Sequence, residues 1–243
     1  RDALFILTEC AFEDQEYEDA FQFSQEFLRE YPNDARRSSA LFTHGISAFQ
    51  THRLDTARTS LDAFIEQGSG HVKVGAAYFW RAMGKLDNGD WESAEADLRH
   101  AYENSSSYRD VALMGWALSL ERRGAYDQAI ELLDKFRAEF PSSSLLQEVN
   151  VRLASLSLRR LNPNRTIALL AETEPTTRTR QEYALLGPEA AMRLGEYGQA
   201  QIGYHLFVQH FPDSRFARRA RFGAGTAMVK RGDFAAAQAV FDS

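Results

Sequence analysis

Among 243 residues there is one cysteine, Cys10. That rules out an intramolecular disulfide framework and a cysteine-based structural zinc site. It leaves the compartment open, because a single thiol is compatible with either redox environment. Proline is scarce at six and glycine stands at 15, too few for a loop-rich β-protein. No apolar run approaches the 18 or so residues that a membrane span needs. Lysine is almost absent, 4 against 24 arginines, a bias that matters for function only where guanidinium groups cluster in space. No methionine opens the chain and no signal peptide is visible, so residue 1 reads as a boundary left by processing or cloning. Catalytic signatures are missing too. There is no glycine-rich phosphate loop ending in Lys-Ser/Thr, no Gly-x-Ser-x-Gly elbow and no His-Glu-x-x-His, and the expectation is a protein that is not an enzyme and needs no cofactor.

What is present is ordinary soluble material, 44% hydrophobic and 26% charged, so disorder is excluded. Length alone allows one large domain or two small ones. The net charge of −6 is unevenly spread: residues 1–120 hold 11 basic against 20 acidic side chains, and residues 121–243 hold 17 against 14. Above all, the chain repeats itself. A small-x-aromatic-x-x-Ala core recurs at Gly89 to Ala94, Gly124 to Ala129, Gly195 to Ala200 and Gly232 to Ala237, with weaker copies ending at Ala20 and Ala57. A degenerate copy between Leu161 and Leu170 places Thr166 at the alanine position. The anchors 20, 57, 94, 129, 166, 200 and 237 are spaced by 34 to 37 residues.

Each repeat reads as two helices. An apolar stretch of helical period such as Val111 to Arg123 precedes the glycine, and a second such as Tyr126 to Phe140 follows, with Ala129, Leu132, Leu133 and Phe136 on one face. The glycine supplies the positive φ that ends the first helix. Several second helices stop at an aromatic-proline pair, Tyr31-Pro32, Phe140-Pro141 and Phe211-Pro212, because proline cannot continue a helix. The small anchor residue allows the two helices to cross closely.

These residues resemble the tetratricopeptide repeat, a helix–turn–helix of about 34 residues. That repeat carries small side chains at positions 8 and 20, glycine at 15, an aromatic at 17 and proline at 32. Position 8 here holds Thr8, Gly45, Ala82, Ala117, Ala154, Pro188 and Gly225. The resemblance covers the whole chain and implies an all-α fold, an α-solenoid forming a right-handed superhelix of about seven repeats. These lie near residues 1–34, 35–70, 71–106, 107–142, 143–177, 178–213 and 214–243, the last truncated, as one solenoid within a longer chain. Slightly longer repeats ending in aromatic-proline, as here, are similar to those of bacterial envelope proteins, including barrel-assembly lipoproteins and Tol-Pal coordinators. That likeness implies a periplasmic or outer-membrane-associated protein, with a cytoplasmic place as the alternative and any lipid anchor outside this chain. The resemblance is broken at Leu161-Asn162-Pro163-Asn164-Arg165, and Pro188 is expected to kink or split its helix near Gly187.

The resemblance also implies a non-catalytic scaffold that holds a protein or peptide partner in the concave groove lined by first helices. An assembly or targeting module of a larger envelope protein is the alternative. Groove positions carried over along the first four repeats include Phe5, Phe12, Phe42, Phe49, Phe79, Met83, Leu86, Met114 and Leu118. Position 13 runs Glu13, Gln50, Asp87, Arg122, Arg159, Arg193, Lys230, a change from acidic to basic. The expected partner-binding set is Phe42, Phe49, Phe79, Met83, Met114, Arg122, Arg159 and Arg193, and the expected structural anchors are Ala20, Ala57, Ala94, Ala129, Ala200 and Ala237. A cation at position 13 would also complement the helix dipole, for about 0.3–1 kcal/mol. The carboxylate clamp of chaperone-binding relatives does not match. Arg215, Arg218, Arg219 and Arg221 form the densest basic cluster, yet an acidic chain makes nucleic acid an unexpected partner. Cys10 is expected to be buried, Glu92, Glu95 and Asp97 to form a solvated face, and His205 and His210, five apart, to bind no metal.

Overall fold

A computed structural model describes residues 1–67 and 71–242, and among them every regular element is an α-helix. The expected repeat edge at residue 70 and the end of the last repeat at 243 lie outside the described residues. Two compact bodies divide the chain, Arg1–Ala125 and Tyr126–Ser243. The N-terminal body holds α1 (Asp2–Glu13), α2 (Tyr17–Glu30), α3 (Arg37–Gln50), α4 (Leu54–Gln67), α5 (Val74–Asp87), α6 (Trp91–Asn104) and α7 (Arg109–Arg122). In the C-terminal body are α8 (Tyr126–Glu139), α9 (Leu146–Arg159), α10 (Pro163–Ala171), α11 (Arg180–Leu194), α12 (Tyr197–His210), α13 (Ala217–Arg231) and α14 (Phe234–Phe241). Within each body consecutive helices pack side by side. First helices also touch the first helices of adjacent repeats, α1 on α3 and α3 on α5, then α9 on α11 and α11 on α13. This is solenoid packing, in which each repeat completes its core against its neighbours.

The hairpin turns share one backbone solution. Five residues before each anchor the chain enters the left-handed region: φ is +74° at Gly89, +81° at Gly124, +80° at Gly195 and +87° at Gly232. The weaker repeats adopt the same turn without glycine, at Gln15 (φ 63°), His52 (φ 60°) and Leu161 (φ 59°). In all seven the next N–H bonds the carbonyl five residues back, as Glu16 to Ala11, Arg53 to Ala48 and Asn162 to Ser157, at 2.7 to 2.9 Å. That bond satisfies a carbonyl left over at the helix end, so the turn is kept even where a side chain makes the conformation costly.

All seven anchors, Ala20, Ala57, Ala94, Ala129, Thr166, Ala200 and Ala237, are buried. Thr166 keeps its hydroxyl in the interior by donating to the Ala154 carbonyl at 3.0 Å, so anchor and position 8 meet. A Cβ on Gly45 would come within 2.7 Å of Leu61 Cγ, and one on Gly225 within 2.5 Å of the Phe241 ring. Pro188 fits the same small position because Gly203 opposes it: a Cβ there would lie 2.9 Å from Pro188 Cβ. The helix is therefore not split, and α11 continues from Arg180 to Leu194 with Pro188 inside. Seven residues past the anchor sit Phe27, Phe64, Phe136 and Phe207, the largest fully buried side chains. Three of them pack on the aromatic that ends the helix, Phe27 on Tyr31, Phe136 on Phe140 and Phe207 on Phe211, with centroids 5.2–5.5 Å apart.

Two local expectations are corrected. Cys10 is exposed, because α1 turns Thr8 and Ala11 inward and Cys10 outward. Asp97 is no part of a solvated face. It is 3% exposed on α6, gripped by Nη2 and Nε of the Arg81 fork at 2.6 and 2.8 Å and by Lys85 at 2.7 Å, while Asp62 also accepts from Arg81 at 2.6 Å. Its neighbour Glu92 remains exposed, and Glu95 pairs with Arg123.

Candidate functional site

In the C-terminal body the first helices α9, α11 and α13 flank an open cleft of about 410 Å³. Its floor is apolar: Leu158, Leu185 and Leu186 are buried there, and Phe216 is half-buried. Charge stands on the rim. Arg159 comes from the end of α9, Glu182, Glu189 and Arg193 from α11, Arg215 from the turn before α13, and Arg219 from its first turn. Arg219 binds Glu189 at 2.6 Å. Burial pushes the Glu189 carboxyl above the usual carboxylate range, against the pull of Arg219 and Arg193, and nearby Glu182 pushes the same way.

The other rim arginines have different partners. Arg193 donates to the Leu158 carbonyl at 3.3 Å. The Arg159 guanidinium lies 5.7 Å from the Tyr126 ring centroid, and Arg215 lies 4.6 Å from that of Phe216. Among the described residues none of these three has a carboxylate within ion-pair distance. Position 13 thus has a packing habit: Arg122 covers Trp91 and Arg159 covers Tyr126, each the aromatic of the preceding repeat. Where that aromatic is replaced by Pro163, Arg193 has no ring to cover and turns to the end of α9 instead.

The remaining residues of the expected set lie in the N-terminal body. Phe42 is 5% exposed and packs on Phe64, with the Lys73 ammonium 5.0 Å above its ring. Phe79 is 9% exposed and stacks on Tyr108 at 4.7 Å. These two are core side chains with little face to offer a ligand. Phe49, Met83 and Met114 are half-buried, with Phe49 tilted against Trp80 at 5.3 Å, and Arg122 is exposed. Carrying groove positions into repeat six would also have named Glu182, Leu185 and Glu189, so the acidic part of the cleft had a readable signal. His205 and His210 are exposed, and no group of three or more metal-ligating side chains occurs among the described residues. No helix among them is long and apolar enough to cross a membrane.

Family models for the tetratricopeptide repeat match residues 2–34 and 111–143 in one form and 42–108 in another, more than half of the chain. The chain belongs to the tetratricopeptide-repeat family. Among solved structures, this tetratricopeptide-repeat chain is similar to the C-terminal part of a TPR repeat-containing protein from Cytophaga hutchinsonii. That match has a TM-score of 0.74 at 12% identity and covers 98% of this chain and 93% of that one. PilF from Pseudomonas aeruginosa matches with a TM-score of 0.66 at 14% identity, over 90% and 95%. PilW, a widely conserved type IV pilus biogenesis factor, matches with 0.61 at 16%, over 90% and 96%. At these identities the likeness is one of fold. No curated protein matches the chain.

Proposed function

We propose that this tetratricopeptide-repeat chain is a non-catalytic scaffold that binds a protein or peptide partner along its first-helix surface. The observation that carries the reading is the cleft between α9, α11 and α13, where exposed arginines stand over an apolar floor. Arginine beside apolar surface is the composition of binding hot spots, and a groove between helices suits a helix or an extended peptide. Of the expected residues, Arg159 and Arg193 belong to this cleft. Phe49, Met83, Met114 and Arg122 are proposed as contacts of the N-terminal body.

The test is affinity capture with the wild type, with Arg159→Ala/Arg193→Ala and with a control Arg218→Ala/Arg221→Ala, scored by quantitative mass spectrometry. A partner retained by the control and lost from the cleft variant is the expected result. Equal recovery of every partner by all three would end the cleft reading.

A second reading is an assembly module of a larger bacterial envelope protein, periplasmic or outer-membrane-associated, with any activity outside this segment. It draws support from the likeness in fold to PilW. Fractionation of cells expressing the tagged native protein decides it: recovery in the cytoplasmic fraction alone removes this reading and leaves the scaffold proposal untouched.

A further inference from the structure

We infer that the cleft of the C-terminal body receives an acidic segment of a protein partner. Carboxylates of that segment engage Arg159, Arg193 and Arg215, and an adjacent apolar side chain rests against Phe216 and the leucine floor. This deepens the groove reading above and rests on it.

Four guanidinium groups surround the cleft against two carboxylates, Glu182 and Glu189. Only Arg219 has its charge met directly, by Glu189 at 2.6 Å. Arg193 spends one N–H on a neutral carbonyl, while Arg159 and Arg215 lie against aromatic rings that leave their in-plane donors free to form hydrogen bonds. Guanidinium forks suit planar carboxylates, which accept two parallel N–H bonds. Elsewhere in the same body, other arginines have found acidic partners: Arg160 pairs with Asp127 at 2.7 Å, Arg137 with Glu172 at 2.7 Å, and Arg165 with Asp134. Arg159, Arg193 and Arg215 are left without such a complement, and the cleft gathers all three over one apolar floor.

Two features choose a peptide over a polynucleotide. Glu182 and Glu189 stand in the path that a run of phosphates would follow, and the floor is leucine and phenylalanine rather than a continuous basic track. Glu189 has a further consequence. As the built-in partner of Arg219 it competes with an incoming carboxylate, so neutralising it should strengthen binding. A role of these arginines confined to holding the helices together predicts no such gain.

The test begins with a random twelve-residue peptide display library selected on immobilised wild-type protein. One enriched peptide and its copy with every Asp and Glu changed to Asn and Gln are then titrated by fluorescence anisotropy. The proteins are wild type, Arg159→Gln, Arg193→Gln, Arg215→Gln, Glu189→Gln and the control Arg221→Gln, each checked for helical circular dichroism and melting, with a 20-nucleotide thymidine strand as a further probe. Expected are Asp/Glu-rich sequences carrying a large apolar residue, a loss of about five- to twentyfold for each cleft arginine, a gain of about three- to tenfold for Glu189→Gln, and little change for Arg221→Gln. Enrichment without Asp or Glu, equal binding of the neutralised peptide, or tighter binding of the oligonucleotide overturns the acidic-segment inference. If neutral peptides are enriched but lost from the arginine variants, the groove reading survives alone. If folded cleft variants bind like wild type, both fail.

Discussion

In the N-terminal body the basic side chains of α5 meet their counter-charge inside the fold, whereas in the C-terminal body those around α11 mostly do not. Arg81 and Lys85 converge on buried Asp97 from one helix of the same hairpin to the other. Around Glu189 a single arginine closes a pair, and three more stand over the cleft without one. The backbone is the same repeat in both cases. The difference shows that a helical hairpin can spend its arginines on its own cohesion or leave them for a ligand, depending on whether an acidic side chain is placed within reach.

The largest expected break in this comparison is Asp97→Ala. Among the described residues, removing the shared counter-ion leaves half-buried Arg81 with Asp62 alone and Lys85 with no carboxylate, and a loss of about 3 kcal/mol is expected in urea denaturation. A loss under about 1 kcal/mol would mean that the network contributes little to the N-terminal body.

Acid should separate the two bodies next. His44 is buried, stacked on Phe21 at 4.6 Å and joined to Ser60 Oγ at 2.9 Å, and burial lowers its pKa to about 4. The unfolded chain takes up a proton near pH 6.5 while the folded chain stays neutral. Stability is therefore present above that pH and falls by about 2–3 kcal/mol as pH drops from 7 to 4. Glu189, whose folded pKa is raised, has the opposite sign: its burial opposes folding once it ionises, and acid relieves it. Hydrogen exchange at pH 7 and pH 5 should show weaker protection of α3 and α4 at the lower pH, with α11 unaffected or better protected. His44→Gln should flatten the first effect.

Smaller gains test the turns. Leu161→Gly, Gln15→Gly and His52→Gly each remove a side chain from a left-handed residue and should stabilise by about 0.5–1 kcal/mol, with Leu161, exposed and apolar, the most informative. A lower melting temperature would show that those side chains hold the turn. Smallest of all, Arg215→Gln should change stability by less than about 0.5 kcal/mol. A larger loss would assign Arg215 to the body's own cohesion and erase the contrast with α5.

The repeat was legible because its causes are local and recur: a left-handed residue and a small anchor five positions on are each enforced by one hairpin's geometry. Even the degenerate fifth repeat keeps the turn, with Leu161 in the left-handed region and Asn162 accepting from the Arg165 N–H at 3.1 Å. Charged and irregular residues hide their partners in the sequence. Asp97 looks like surface until Arg81, on the preceding helix, is known to reach it. Pro188 looks like a break until Gly203, on the following helix, is seen to make room for its ring. Phe42 and Phe79 looked like groove residues because position alone does not say whether a neighbouring aromatic already covers the ring.

Spacing and residue size therefore determined the helices, their turns and their pairing within repeats, since those follow from backbone geometry and close contact along one hairpin. Which arginines are left open to solvent was decided only by the tertiary structure. Whether a charge is neutralised depends on side chains brought by other helices, of the same hairpin as at Asp97 or of a neighbouring repeat as at Glu189, and on how much water the packed helices leave between them.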